Sequence, residues 1–433
     1  MSVTGGYRSQ FMEHAGRWRG REPSWLSLQR REAFERFLDR GFPTTHDEEW
    51  RFTNVSPLAS MEFAPADGGV EGRAASLLKA HFEEGWNRHE IVFVNGRFTP
   101  GLSRLGELPS GVVVASLDQA LESHTEKLES VLALSRAGDG TVFADLNRAF
   151  LASGAFVLVP ESALVEYPIH IVYLISAKKP EVSHPHTVLL AEAGSAVRVV
   201  ESYLGEEGSV YFTNATTDVC AASGSSIDHY RVQRESASAF HVGSQRLLQA
   251  RGSSLQNSSL SLGGRISRND ISALLDGEGA DLTLNGLYVV RGTQHVDHHT
   301  IIDHKEPHGT SRELYKGVLD DASSGVFNGR IIVRRGAQKT NAQQTNKNLL
   351  LSGEALVNTN PQLEINADDV KCAHGATIGQ LDKDALFYLR TRGIDYEEAR
   401  NILTRGFMAD VSDRIRIAAV RDAMRRFVFA EAA

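Results

Sequence analysis

The spacing of apolar residues along the chain changes character twice. From Ser24 to Gly41, SWLSLQRREAFERFLDRG sets Leu28, Phe34, Phe37 and Leu38 at helical intervals, opens on a serine suited to N-capping and ends on a glycine shortly before Pro43. Ala74 to Trp86 reads as a second helical piece, so residues 1–90 are expected to form a helix-rich region. Beyond Ile91 the pattern becomes short β-rich runs, IVFVNGRF, AFVLVP, IHIVYLI, HTVLLAEA and AVRVVESYL, each bounded by Gly, Pro, Ser or Asn. Helical periodicity is not expected again before Asp382, and residues 91–381 are too many for one simple sandwich. The end of the chain is helical once more. Asp382 caps LDKDALFYLRTRG, Asp395 with Glu398 forms a capping box for DYEEARNILTRG ending at Gly406, and SDRIRIAAVRDAMRRFVF spaces Ile417, Val420, Met424 and Phe427 by threes and fours. Residues 382–433 are therefore read as a C-terminal helical region.

An internal repeat gives the central region its architecture. LLDGEGADLTLNGLYVVRGTQ (274–294) aligns with VLDDASSGVFNGRIIVRRGAQ (318–338), shared features recurring 43 to 45 positions apart. Such a period fits two stacked coils of about 22 residues each, a solenoid. In a β-helix, Leu282, Leu284, Val289, Ile331 and Val333 would point inward. The Asn285-Gly286 and Asn328-Gly329 pairs would turn its corners, and the amide-rich TNAQQTNKN (340–348) would stack between coils.

Composition narrows the function classes. The 433 residues are 41% hydrophobic and 23% charged, as in ordinary globular proteins, and the net charge of -8 gives no overall attraction to nucleic acid or anionic membranes. Cys220 and Cys372 are the only cysteines, too few for a disulfide framework, which points to a reducing compartment. Met1 to Arg21 has no apolar core and no later run approaches 18 apolar residues, so a cytoplasmic protein is expected. No phosphate-binding loop, dinucleotide fingerprint, G-x-S-x-G elbow or H-E-x-x-H helix is present, and the chain is not expected to be an enzyme or to hydrolyse ATP alone.

Two segments carry candidate chemistry. QHVDHHTIIDHKEPH holds His295, His298, His299, His304 and His308 with Asp297 and Asp303; on a strand, His298 and His299 face opposite ways, which favours a structural or interface role over metal ligation. In VKCAHGATIGQLD, Cys372 and His374 are two apart and project from the same side of a strand, a pair suited to iron or zinc but incomplete without ligands from a second chain. The alternative is a buried cysteine beside a hydrogen-bonded histidine. Cys220 reads as core. Asp276, Glu278 and Asp281 could form the carboxylate groove of a carbohydrate-active β-helix, but they fall in a turn.

The whole chain resembles the SufB/SufD family of iron-sulfur cluster assembly proteins. RNDISALLDGEGADLTLNGLYV, QHVDHHTIIDHK, HGTSRELYKGVLDD, VFNGRIIV, QKTNAQQTNKNLLLS, NTNPQLEINADDVKCAHGATIGQLD and FYLRTRGI carry the likeness, while DEEWRFTNVSPL and VFVNGRF resemble the SufD branch. The resemblance implies a mainly β fold, a right-handed parallel β-helix flanked by N-terminal and C-terminal helical regions. It also implies a complex with a SufB-like subunit and a SufC-like ATPase. In that complex the chain would be a scaffold, and an isolated chain could use the same edge to form a homodimer. His374 would stand at the partner interface where the nascent cluster forms, as a tentative metal ligand, with Cys372 beside it. The ATPase would dock on the C-terminal helices through Asp395, Glu398, Ile402, Leu403 and Phe407. No tightly bound cofactor is implied, only a transient cluster or iron at the interface. A purely architectural subunit that never touches iron or sulfide is the alternative.

Overall fold

In the computed structural model, which describes residues 3–18, 20, 22–66, 71–81, 86–134 and 141–430, consecutive strands from His186–Ala191 onward alternate between two facing sheets. From Tyr211–Ala221 onward each strand therefore pairs with the strand two before it in sequence. One sheet runs from Leu356–Ile365 back through Ser324–Val333, His295–His304, Ile266–Leu275, Phe240–Gln249 and Tyr211–Ala221; we call it the first sheet. The second runs from Lys371–Gln380 through Asn341–Leu350, Thr310–Leu319, Asp281–Val290, Ser254–Ser261 and Ser226–Arg234. Pairing along both bodies is parallel, and the result is a parallel β-solenoid of about eight turns with helices at either end of the chain. Among the described residues no helix is long and apolar enough to cross a membrane.

The coil is longer than the repeat suggests. Asp281 pairs with Thr310 and His295 with Ser324, each 29 residues on, and Asn341 pairs with Lys371, 30 residues on. The offset of about 44 is thus one and a half coils. It superposes Ile266–Leu275 of the first sheet on Thr310–Leu319 of the second, because the repeating unit is a single strand with its turn. The Asn-Gly pairs are not corners either: both lie inside strands, Asp281–Val290 and Ser324–Val333. A Cβ on Gly286 would lie 2.1 Å from the Tyr315 ring, and one on Gly329 would lie 2.3 Å from the Gln344 amide, so these glycines make room for interior side chains. Left-handed backbone occurs instead at true corners such as Gly252 (φ 62°) and Gly292 (φ 59°).

Leu282, Leu284, Ile331 and Val333 lie in the solenoid interior as expected. Val289 does not. It falls one residue out of phase with Tyr288 and Val290, which face inward, and it packs on the outer face beneath the C-terminal helices.

Each outer face is clad by a different part of the chain. On the first sheet, Phe212, Phe240, Val242 and Ile266 meet Phe34, Phe37, Trp50 and Phe63 of the N-terminal region and Phe143 of helix Val142–Ala149. On the second sheet, Tyr230, Leu260, Leu287, Leu314 and Val318 meet Met408, Val411, Ile417, Val420 and Met424. Helix Ser24–Arg40 forms as expected and stops at Gly41 (φ 65°), although Ser24 is its first turn and Pro23 stands at the N-cap. The second expected helix is Glu71–His81, preceded in the chain by helices Val3–Trp18, Ser24–Arg40 and Ser56–Ala59; residues 82–85 of the expected stretch lie outside the described residues. Three helices, Leu117–Ser123, Thr125–Leu134 and Val142–Ala149, interrupt a stretch read from sequence as continuous short strands.

At the C-terminal end, Asp382 caps Lys383–Thr391 by accepting from the backbone N–H groups of Asp384 and Ala385. Asp395 caps Tyr396–Ser412 through the Glu398 N–H at 2.9 Å. That helix continues through Gly406, where the sequence suggested a stop, because Thr404, Met408 and Val411 keep a buried stripe against the second sheet. Ala418–Ala430 follows; nothing is described of the Phe427 side chain.

Candidate functional site at the open end of the solenoid

The last coil is bare. Among the described residues, Leu356–Ile365 pairs only with Ser324–Val333, and Lys371–Gln380 only with Asn341–Leu350, so each presents a free edge of backbone donors and acceptors. The edge is apolar in places: Leu356 is 65% exposed and Ile378 51%.

Cys372 and His374 lie on one side of this strand, as their spacing predicts, and it is the side that continues the solenoid interior. Register places Cys372 over Ala342 and His374 over Gln344, both of which are buried one coil below. Cys372 is half-buried against the interior cluster, and burial raises its thiol above the ordinary range. His374 is exposed. Beneath it, Gln344 Nε2 donates to Glu313 Oε2 at 2.6 Å, and burial pushes the Glu313 carboxyl up to about 7. The row Glu313, Gln344, His374 thus leads from a buried acid to the exposed imidazole. Among the described residues no group of three or more His, Cys, Asp or Glu side chains converges as a metal site, so Cys372 and His374 supply at most part of a ligand set.

The amide-rich strand contributes hydrogen bonds as well as spacing. Asn348 Nδ2 donates to Asn346 Oδ1 at 2.6 Å, Tyr288 OH also donates to Asn348, and Asn346 Nδ2 donates to the Tyr315 carbonyl.

The histidine-rich strand His295–His304 has a different fate. His298 turns inward between the rings of Tyr288 and Tyr315, each 5.2 Å away, and burial pushes its pKa down to about 3. His304 also turns inward, with Nε2 2.9 Å from Ser311 Oγ, while His308 occupies a corner at φ 62°. His295, Asp297 and His299 face outward together and receive the segment around Trp50. Thr53 Oγ1 donates to Asp297 Oδ2 at 2.5 Å and lies 2.9 Å from His295 Nε2. His299 bridges Asp297 Oδ1 and Glu49 Oε2, both at 3.0 Å. The cation at this place is Arg268, 1% exposed, which bonds Asp297, Asp270 and the Glu49 carbonyl and lies 3.8 Å from the centre of the Trp50 ring. Sequence reasoning missed Arg268; its only local signal was an arginine inside a strand, in RND. Asp297 sits well below the usual carboxylate range because Arg268 and His299 face it, and His299 rises to about 9 chiefly through Asp297 despite burial.

Other candidates separate in space. Asp276, Glu278 and Asp281 each face a different cation, Lys305, Arg251 and Arg312, and form no groove. Cys220 is half-buried against a hydrophobic cluster, its thiol pushed up to about 12 by burial. On helix Tyr396–Ser412, Asp395, Glu398 and Ile402 are exposed and Leu403 is half-buried. Phe407 belongs to the chain's own packing: Lys316 Nζ lies 4.6 Å from its ring and donates to its carbonyl at 2.6 Å. Phe387, Tyr388 and Tyr396, which the sequence reading did not single out, are exposed as well.

Comparison with known proteins places the whole chain. The SufBD protein N-terminal region matches residues 1–171, and the SufBD core domain of the SUF system for FeS cluster assembly matches residues 173–407. An iron-sulfur cluster assembly SufBD family protein of Synechocystis is 32% identical over 418 residues, 94% of this chain and 92% of that protein. Iron-sulfur cluster assembly protein SufD of Escherichia coli is 30% identical, over 90% of this chain and 89% of its own length. SufD of Bacillus subtilis is 28% identical, over 97% and 96% respectively. With the two family regions together matching the chain to residue 407, around a solenoid that leaves one coil uncovered, the chain belongs to the SufB/SufD family of iron-sulfur cluster assembly proteins.

Proposed function

We propose that this chain is the SufD-like subunit of a cluster assembly complex, a scaffold that joins a SufB-like partner at its bare coil and couples to a SufC-like ATPase through its C-terminal helices. The single observation that carries the reading is the last coil, with two unpaired strand edges, exposed apolar residues and the Cys372–His374 pair on one surface. A partner strand surface would satisfy those backbone groups and could supply the ligands this chain lacks. Iron and sulfide are cargo here. The His374 imidazole can give a ring nitrogen to iron or donate an N–H to a bridging sulfide, and Cys372 offers a thiol beside it. The two unlinked cysteines suit a reducing, cytoplasmic setting.

For the ATPase, the C-terminal helices offer the exposed apolar and aromatic residues Ile402, Phe387, Tyr388 and Tyr396 together with the exposed carboxylates Asp395 and Glu398. Movement of helix Tyr396–Ser412 would reach the solenoid through Lys316, which is bonded to Asp410 Oδ2 at 2.5 Å as well as to Phe407. Nucleotide-driven closure of the ATPase would thereby bias the partner interface.

A second reading, an architectural subunit that braces its partners without contacting iron or sulfide, is favoured by the lack of a converged ligand group among the described residues. One experiment separates the two: anaerobic co-purification with the SufB-like and SufC-like partners, wild type against His374→Ala, with bound iron and sulfide measured. An intact complex that has lost iron and sulfide supports the assembly role. An intact complex with unchanged content rejects it in favour of the architectural one.

A further inference from the structure

The two strands of the bare coil differ at their open edges. In a parallel ladder each residue turns both backbone groups to one neighbouring strand, and successive residues alternate. On Leu356–Ile365 the even-numbered residues turn to the strand below: the Leu356 N–H donates to the Ser323 carbonyl at 3.0 Å, and just past the strand the Asn366 N–H donates to the Val333 carbonyl at 2.8 Å. The odd-numbered residues therefore turn to the open edge, and the middle one is Pro361, which has no N–H and whose ring projects where a donor would be. Glu364 adds a charge to the same strand. Proline and charged side chains are the devices by which natural sheets close an edge to further strands. Lys371–Gln380 has the opposite parity. The Lys371 N–H donates to the Thr340 carbonyl at 2.8 Å, so Cys372, His374, Ala376, Ile378 and Gln380 turn their N–H groups to the open edge. None of them is proline, and no Asp, Glu, Lys or Arg occurs from Cys372 to Gln380. On the other side of this strand Ala373, Gly375, Thr377 and Gly379 are small, which leaves room for large side chains on a strand laid alongside.

We propose that strand addition at the bare coil is one-sided: an extended strand of the SufB-like partner pairs with Lys371–Gln380, while Pro361 closes Leu356–Ile365 to backbone pairing. The identity of the partner rests on the docking reading above; the inequality of the two edges does not. The donors on the open edge belong to the same residues whose side chains continue the solenoid interior. A strand that takes up the Cys372 and His374 N–H groups therefore sets its own inward side chains about 4.8 Å above that pair, where they can complete a ligand set.

Proline substitutions of the full chain read each edge separately. Ala376→Pro removes a donor from the edge of Lys371–Gln380 and Thr359→Pro one from the edge of Leu356–Ile365, and neither donor serves the chain's own ladder. In titrations with the SufB-like partner, Ala376→Pro should weaken binding at least about tenfold, as expected when a backbone acceptor of the partner is left unmet. Thr359→Pro should bind as wild type does. If Ala376→Pro does not fold, Ile378→Pro, whose nitrogen turns to the same edge, takes its place. Equal weakening by the two substitutions, or none by either, overturns the proposal. A second measurement needs no partner: Pro361→Val restores the missing donor, and the isolated variant should self-associate with rising concentration in sedimentation more than wild type does. Unchanged sedimentation means that Pro361 does not close its edge and overturns the proposal. Self-association of Pro361→Val in a protein whose wild type binds no SufB-like partner upholds the inequality of the edges and overturns the docking reading instead.

Discussion

Strands His295–His304 and Lys371–Gln380 both carry histidine beside a potential ligand, and they lie only a few coils apart, yet the fold treats them in opposite ways. The first is enclosed: His298 is walled in by tyrosines, and His295, Asp297 and His299 are saturated by Thr53, Glu49 and Arg268. The second has a free edge, an exposed imidazole and a half-buried thiol. Histidine density is therefore a poor guide to chemistry in this chain. What distinguishes the two strands is whether the chain itself supplies the partners.

The largest expected effect tests the enclosed strand. Asp297→Ala leaves Arg268 buried without its closest carboxylate and should cost ~3–5 kcal/mol in denaturant unfolding; a loss below ~1 kcal/mol would mean the network is not holding the N-terminal segment.

Next is the pH dependence of the same network. His299 is raised to about 9 in the folded chain against 6.5 unfolded, so its contribution is complete below about pH 6.5 and is lost as pH rises through 9. Glu49 is largely exposed, which weakens its share of the effect, and we expect about 2 kcal/mol in all. Unfolding of wild type and His299→Gln measured from pH 6 to 10 should converge at the alkaline end. Asp297, held low, acts in the other direction: its contribution is present above the ordinary carboxylate range and is lost only in acid.

The open strand predicts a difference in thiol reactivity. A small alkylating reagent should modify Cys372 at least about tenfold faster than Cys220, whose thiol is pushed up to about 12. Adding the SufB-like partner should protect Cys372 alone, as read by peptide mass; equal protection of both thiols would count against docking at the bare coil. The smallest effect is the converse of the first. His374→Ala should change stability by no more than ~0.5 kcal/mol, because the side chain is exposed. A larger loss would give His374 a structural role and erase the contrast.

Much of this architecture was legible from local pattern. The alternation of strands and turns announced a solenoid, Asp382 and Asp395 announced two helix starts, and the i, i+2 spacing placed Cys372 and His374 on one side. The coil length was misjudged because strand-plus-turn units in opposite sheets resemble each other, so sequence similarity at three such units hides the true stacking neighbour. Gly286 and Gly329 misled because a glycine that admits the Tyr315 ring or the Gln344 amide looks, in sequence, like one that turns a corner. The histidine-rich strand could not be resolved locally at all, since Glu49, Trp50 and Thr53 are more than 200 residues away in sequence. The same holds for Phe407, whose partner Lys316 is 91 residues distant.

The strand-plus-turn unit also limits how chains of this kind can change length in evolution. Inserting one unit would transfer every later strand to the opposite sheet, and the C-terminal helices would lose the surface of Tyr230, Leu287 and Leu314 to which they are fitted. Two units inserted together restore the alternation and both docking faces. Viable insertions and deletions within the solenoid should therefore come in steps of about 30 residues, with single-unit changes tolerated only beyond the last clad coil.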